Sequence, residues 1–173
     1  MIDVEEEVAH LTTLHDELIR RHGGAEGGPK PHCMESALGS AQQGAGYFED
    51  EVGDSVLTLP AFVLVYIARN QCYVDGNKRV AWAAFTRLLA RYDLSVDATD
   101  DDAEAFVLHL AANRTGEPQD HVRGVIEWAA ARLVPLDLAG AAQATAAADQ
   151  SEPAPDSSSL PERYAADLAD AAS

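Results

Sequence analysis

Aromatic residues, cations, cysteines and long apolar runs are all scarce in this sequence, and each scarcity excludes something. Aromatics make up 6% of the 173 residues, while alanine is abundant and hydrophobic residues reach 47%. A chain that apolar is not disordered throughout, and alanine costs least in a helix while adding little to a sheet. Lys and Arg number 12 against 29 Asp and Glu, a formal net charge of −17. Such a surface repels nucleic acid, so no nucleic-acid partner is expected. Cys33 and Cys72 are the only cysteines; they admit one bridge and rule out a disulfide framework. The longest apolar stretch, residues 59–68, is too short to span a bilayer. The opening "MIDVEEEVAH" is acidic and lacks both a basic region and an apolar run, unlike a secretory signal or an anchor. The expectation is a cytoplasmic protein without a membrane partner.

What is present reads mostly as helices. Val8, Leu11, Leu14, Leu18 and Ile19 recur at helical spacing, and "HGG" at residues 22–24 can end that helix with a left-handed cap. Residues 25–32 read as a loop. A shorter helix follows, with Met34, Ala37, Leu38 and Ala41 inward, and then "GAGYFEDEVGD" reads as an irregular flap. "LPAFVLVYIARN" is apolar on all sides. It fits a buried strand or a central helix; its length and Pro60 in a first-turn position select the helix. After the "DG" break, "NKRVAWAAFTRLLARY" puts Val80, Ala84, Leu88 and Leu89 on one face. "DLSVDA" is extended. "TDDDAEAFVLHLAAN" places acids in its first turn, which suits the helix dipole. A last helix starts at Pro118 with Val122, Val125, Ile126 and Ala129 inward. The fold class is all-α: a compact bundle around a buried central helix, residues 1–138. From 139 to 173 bulky apolar side chains give way to Ala, Ser, Pro and acids, a low-complexity acidic tail expected to be mostly disordered.

The chemistry concentrates in "VDGNKRV". Gly76 lets the chain turn into a helix opened by Asn77 and Lys78. The first N–H groups of a helix lack internal partners and attract anions. Lys78 adds a point charge, and Arg79 can fork onto phosphate oxygens. Asp75 at the rim is the residue type that holds Mg²⁺ beside bound phosphates. The plain alternative is a common "DG" turn, an ordinary Asn77 cap and two solvated cations.

The surrounding letters favour the first reading. "QCYVDGNKR" resembles "HPFxDGNKR", the signature of the Fic and death-on-curing (Doc) superfamily. "LHDELIRRHGG" and "MESALGSAQ" are similar to the first two helices of Doc proteins, and the likeness runs over about residues 9–134. The resemblance implies a Fic/Doc-type helical bundle that binds ATP or another nucleoside triphosphate with Mg²⁺. It implies Asp75 as the metal ligand and Gly76, Asn77, Lys78 and Arg79 as the phosphate cradle. Lys78 and Arg79 would stabilise transition-state charge, Tyr73 would pin the loop, and the base would lie at position 71. Trp82 stands where AMP-transferring Fic proteins carry a second arginine, and Lys78 replaces the Fic-type glycine. Both changes point to the Doc branch. Its members are phosphotransferase-like toxins that modify a hydroxyl of elongation factor Tu and pair with a small antitoxin.

Position 71 is the main departure: Gln71 stands in place of the histidine and has no usable pKa. The chain is therefore read as an attenuated relative, a variant of an active toxin, or an enzyme that deprotonates its target by another route. A non-catalytic nucleotide- or antitoxin-binding module and a Fic-type AMP-transferase are the rival readings. His22 and His32 flank a loop that could approach the site, but lone histidines are mostly surface groups. Cys72 is read as a small buried cysteine, and Trp82 as a core or rim residue. In the tail, Ser158 and Glu162 partly match a Fic inhibitory pattern, which Pro161 and Arg163 break.

Overall fold

The computed structural model describes residues 2–52, 55–113 and 115–138. The chain divides into one unit, Met1–Gly140, and a second, Ala141–Ser173. The expected tail, with Ser158 and Glu162, lies outside the described residues.

Helix α1, Val4–His22, has charge placed to suit its dipole, with Glu5, Glu6 and Glu7 in the first turn and Arg20, Arg21 and His22 in the last. The Asp3 carboxylate accepts from Glu6 N at 3.1 Å as its cap. The helix stops where Gly23, at φ 75°, donates its N–H to Ile19 O at 2.8 Å. Helix α2 spans Cys33–Val52 and α3 spans Thr58–Arg69. Helix α3 is the buried axis expected from the apolar run: nine of its residues, from Thr58 to Ala68, are buried. It packs against α2, α4 (Asn77–Ala90), α5 (Asp100–Ala112) and α6 (Pro118–Ala130). The Thr99 hydroxyl caps α5 by accepting from Asp102 N, and Pro118 opens α6 as expected. Strands β1, Leu94–Val96, and β2, Leu133–Pro135, form a short antiparallel ribbon with Ser95 opposite Val134. The fold is thus mostly helical, in agreement with the all-α expectation. Among the described residues no helix is long and apolar enough to cross a membrane.

Two expectations need correction. "GAGYFEDEV" is not an irregular flap but the second half of α2. Ala41, Ala45 and Phe48 are buried at helical spacing, and Gly44 lies against Phe62, where a Cβ would come within 2.6 Å of the ring. Gly44 makes room for a neighbour and does not break the helix. The inward stripe of α1 also differs. Leu11 and Ile19 are buried, but so are Glu7 and His15, while Val8, Leu14 and Leu18 are only partly covered. Glu7 is 3% exposed and takes Arg87 Nη1 at 2.6 and 2.8 Å and Arg91 Nη2 at 2.8 Å. A buried carboxylate persists only when its lone pairs are met in this way.

Candidate functional site

The expected loop sits between the end of α3 and the start of α4. Asn70 closes α3 with both its backbone N–H and its side-chain amide on Tyr66 O. Gly76 is the α4 N-cap, at φ 81° and ψ 1°, the left-handed region open to glycine. No side chain caps α4. Its first-turn N–H groups are therefore free to meet an anion. The Asn77 side chain is not part of that cradle. Its Oδ1 accepts from Tyr73 N and its Nδ2 donates to Tyr73 O, both at 2.9 Å. Asn77 thus staples the loop and offers its backbone to the site.

Beneath the loop lie Tyr73, which was expected to pin it, and His15, to which the sequence reading gave no role. Tyr73 is buried, as expected, with its hydroxyl 3.4 Å from Thr12 Oγ1. Burial pushes the Tyr73 hydroxyl above its ordinary pKa. Its ring stacks on His15 with centroids 4.0 Å apart. His15 Nε2 lies 3.0 Å from Asp75 O; a carbonyl only accepts, so this nitrogen carries the hydrogen. Its Nδ1 lies 3.2 Å from Asp16 Oδ1. The bond to Asp75 O fixes the carbonyl one residue before the cap, and so aims the Gly76 turn. A signal existed: Glu7, Leu11, His15 and Ile19 recur every four residues along one α1 face.

Asp75 and Arg79 face one another at the rim. Arg79 Nη2 is 3.5 Å from Asp75 Oδ2, with the two side chains 34% and 47% exposed. Arg79 Nη1 donates to Gly23 O at 2.9 Å, and Ala25 N approaches Asp75 Oδ2 at 3.4 Å. The loop after α1 therefore lies on both site residues, so close that a Cβ on Gly24 would overlap Asp75 Oδ2. The Asp75 carboxyl is held below the usual carboxylate range. The Gly76 N–H contributes most, followed by the Ala25 N–H and the positive charges of Arg79 and Lys78.

These residues border a cleft of about 1020 Å³ that Gln71, Asp75, Gly76, Asn77, Lys78 and Arg79 all line. The six expected site residues thus share one cavity. His22 and Trp82 also line it, and α5 supplies the far wall through Asp100, Glu104 and Val107. Gln71 is exposed; His32 is exposed and does not line the cleft. Trp82 is half-buried, with its ring 5.5 Å from Phe85 and 6.0 Å from Trp128.

Cys72 is buried, as expected, and it is bonded rather than free. It forms a disulfide with Cys33, the first residue of α2, across a sequence separation of 39. Its carbonyl also accepts from Lys30 N at 2.8 Å. A loop of this length restricts the unfolded chain by roughly 4 kcal/mol in the chain-entropy account. The spacing of two cysteines cannot reveal such a link, because it depends on how α2 returns beside the loop.

No cluster of three or more His, Cys, Asp or Glu able to hold a metal occurs among the described residues. A protein-only metal cage is therefore not built here. Asp75 does fit the sparser arrangement in which Mg²⁺ takes one or two carboxylates and the substrate's phosphates. Its Oδ2 has only long contacts and is partly open to solvent. Residues 5–89 match the model of the Fic/DOC family. The match spans nearly all of α1 through to Leu89 of α4, takes in the whole motif loop, and supports a place in the Fic/Doc superfamily. No curated protein matches the chain.

Proposed function

We propose that this chain is a Fic/Doc-type nucleotide-dependent transferase of the Doc kind, a toxin-like phosphotransferase impaired at position 71. The observation that carries the reading is the uncapped α4 N-terminus at Gly76, opening with Lys78 and Arg79 into a cleft that Asp75 and Gln71 also line. In this reading ATP or another nucleoside triphosphate places its phosphates on the first-turn N–H groups, Lys78 and Arg79. Asp75 holds Mg²⁺, which when bound neutralises charge on the phosphates. Arg79 exchanges Gly23 O for a phosphate oxygen, a stronger acceptor for a guanidinium.

The transfer itself makes a bond from a target hydroxyl to the terminal phosphorus and breaks the bond to the nucleoside diphosphate. The hydroxyl proton must go to a base. At position 71 a histidine could take it, whereas the Gln71 amide cannot. The binding half of the site does not depend on that proton. The chain therefore binds nucleotide and transfers slowly, and general-base loss costs on the order of 10²–10⁴-fold.

The target is a protein hydroxyl, with elongation factor Tu the first candidate, and the cleft accepts a segment of a small antitoxin protein. A cytoplasmic location follows from the same reading. The Cys33–Cys72 bridge sits uneasily there, because reducing compartments keep most thiols free. A non-catalytic nucleotide- or antitoxin-binding module is the second reading, favoured by Gln71 alone. A Fic-type AMP-transferase is disfavoured by Trp82.

Replacing Gln71 by histidine tests the proposal. Gln71 is exposed, so the fold should be retained. Labelling of a cell protein from radioactive ATP should rise by about 10²–10⁴-fold, and expression should become toxic. No labelling and no growth defect with Gln71→His would leave the binding module as the better description.

A further inference from the structure

We propose that the Cys33–Cys72 pair is a thiol–disulfide exchange site, operated by a dithiol reductant, that sets the order of the loop carrying position 71. The proposal starts from how unevenly this loop is fastened. Upstream, Asn70 is locked onto Tyr66 O. Downstream, Tyr73 is clamped from two sides, by Asn77 through two hydrogen bonds and by the stacked His15 ring. Between them, Gln71 and Cys72 are held through residue 72, by the bond to Cys33 and by Lys30 N on the Cys72 carbonyl. Both fasteners come from the segment that enters α2, and Lys30 O in turn accepts from Cys33 N at 3.1 Å. The bridge therefore ties the start of α2 to the residue next to the one that lines the cleft.

The two sulfurs differ in access. Cys72 is 1% exposed, whereas Cys33 is only partly buried. An incoming thiolate reaches the Cys33 sulfur. Its sulfur bonds to Cys33, the Cys33–Cys72 bond breaks, and Cys72 leaves as a thiolate that takes up a proton. The second thiol of the reductant then attacks the mixed disulfide and releases Cys33. The pair gains two electrons, and the dithiol becomes a disulfide. The partner class is a dithiol oxidoreductase or a small dithiol.

Reduction leaves the downstream clamp intact, since Asn77, His15 and the Gly76 turn do not involve sulfur. It loosens Gln71 and Cys72. A looser edge must be ordered again when a ligand fills the cleft, and that lowers affinity. The oxidised chain is thus the pre-organised form. This coupling to ligand affinity rests on the function proposed above, while the exchange site and the loosening do not.

The test uses the full chain. Under native conditions it is treated with dithiothreitol, then alkylated and analysed by peptide mass spectrometry. Alkylation should appear at Cys33 before Cys72, with a cooperative thermal transition retained. Hydrogen exchange should speed up at residues 71 and 72 on reduction and stay unchanged at 73, where Asn77 holds the N–H, and at 78–89. The Kd for Mg-ATP should rise by about 2- to 10-fold, the cost of ordering one side chain. The Cys33→Ser, Cys72→Ser double variant should copy the reduced chain and ignore dithiothreitol. A bridge that opens only on global unfolding, or unchanged exchange at 71 and 72, overturns the proposal. Should neither redox form bind Mg-ATP or inorganic tripolyphosphate, the nucleotide reading falls, and the exchange and alkylation results still decide the thiol site.

Discussion

Helix α4 carries an arginine–carboxylate assembly at each end, and the two are built differently. At its C-terminal end Arg87 and Arg91 close on Glu7 at 2.6–2.8 Å, with the carboxylate 3% exposed. At its N-terminal end Arg79 and Asp75 stand 3.5 Å apart, both partly open to solvent. The first arrangement meets both carboxylate oxygens with three arginine hydrogen bonds and cannot exchange partners without stranding a charge. In the second, Arg79 donates to the Gly23 carbonyl and Asp75 Oδ2 accepts a long contact from Ala25 N, partners that a phosphate or a cation can replace. The same two residue types thus serve cohesion where water is excluded and recognition where it is not.

The sharpest way to break the comparison is to remove the buried carboxylate. Glu7→Ala strands two arginines that keep some solvent contact, at 29% and 44% side-chain exposure. The loss should fall toward the lower end of the range for such pairs, about 3 kcal/mol by denaturant titration. Replacing Glu7, Arg87 and Arg91 together with apolar residues should cost much less. An effect below 1 kcal/mol for Glu7→Ala would erase the distinction between the two ends.

Next in size is Gly76→Ala. It forces a side chain into φ 81°, where a Cβ would also meet His15 at 3.2 Å. About 1–2 kcal/mol of stability should go, and with it the aim of the α4 N–H groups. Arg79→Ala should sit at the other extreme for folding, within about 0.5 kcal/mol of the parent. Calorimetry with Mg-ATP should nevertheless show affinity weakened by about tenfold, as for loss of a hydrogen bond to a charged group. Equal affinity would make this arginine no more functional than Arg87.

The smallest effect is the acid response of Asp75. Its carboxyl is held below the ordinary value of 3.8 in the folded chain. The contribution is therefore present above that value and is lost as pH falls through the depressed folded pKa. Carbon-detected NMR should find Asp75 ionised at pH values where an unperturbed aspartate is already half-protonated. An ordinary midpoint would mean that the Gly76 N–H contact does not form in solution.

The helices and the motif were legible because each is local: a stripe, a cap or a run of consecutive letters. The core faces of α2, α4 and α6 followed from spacing alone, and the motif loop delivered its six residues to one cleft. What escaped depends on distant partners. Glu7 lies on the buried stripe of α1, but its arginines are 80 and 84 residues away. The bond from His15 was out of sight, since nothing nearby in the sequence announces the Asp75 carbonyl. The two cysteines could be paired or free until α2 was placed. The second half of α2 was misread for a similar reason: Gly44 answers to a ring on another helix.

That ring has a bearing on how the sequence can vary. Gly44 and Phe62 occupy one volume between α2 and α3, and the Phe62 ring stands where a Cβ at position 44 would go. Neither position can change independently. A sequence that gains a methyl at 44 must give up bulk at 62, so the pair should be inherited together, as glycine with phenylalanine or as alanine with something smaller. Lineages that split the pair would carry a misfit at the axis of the bundle.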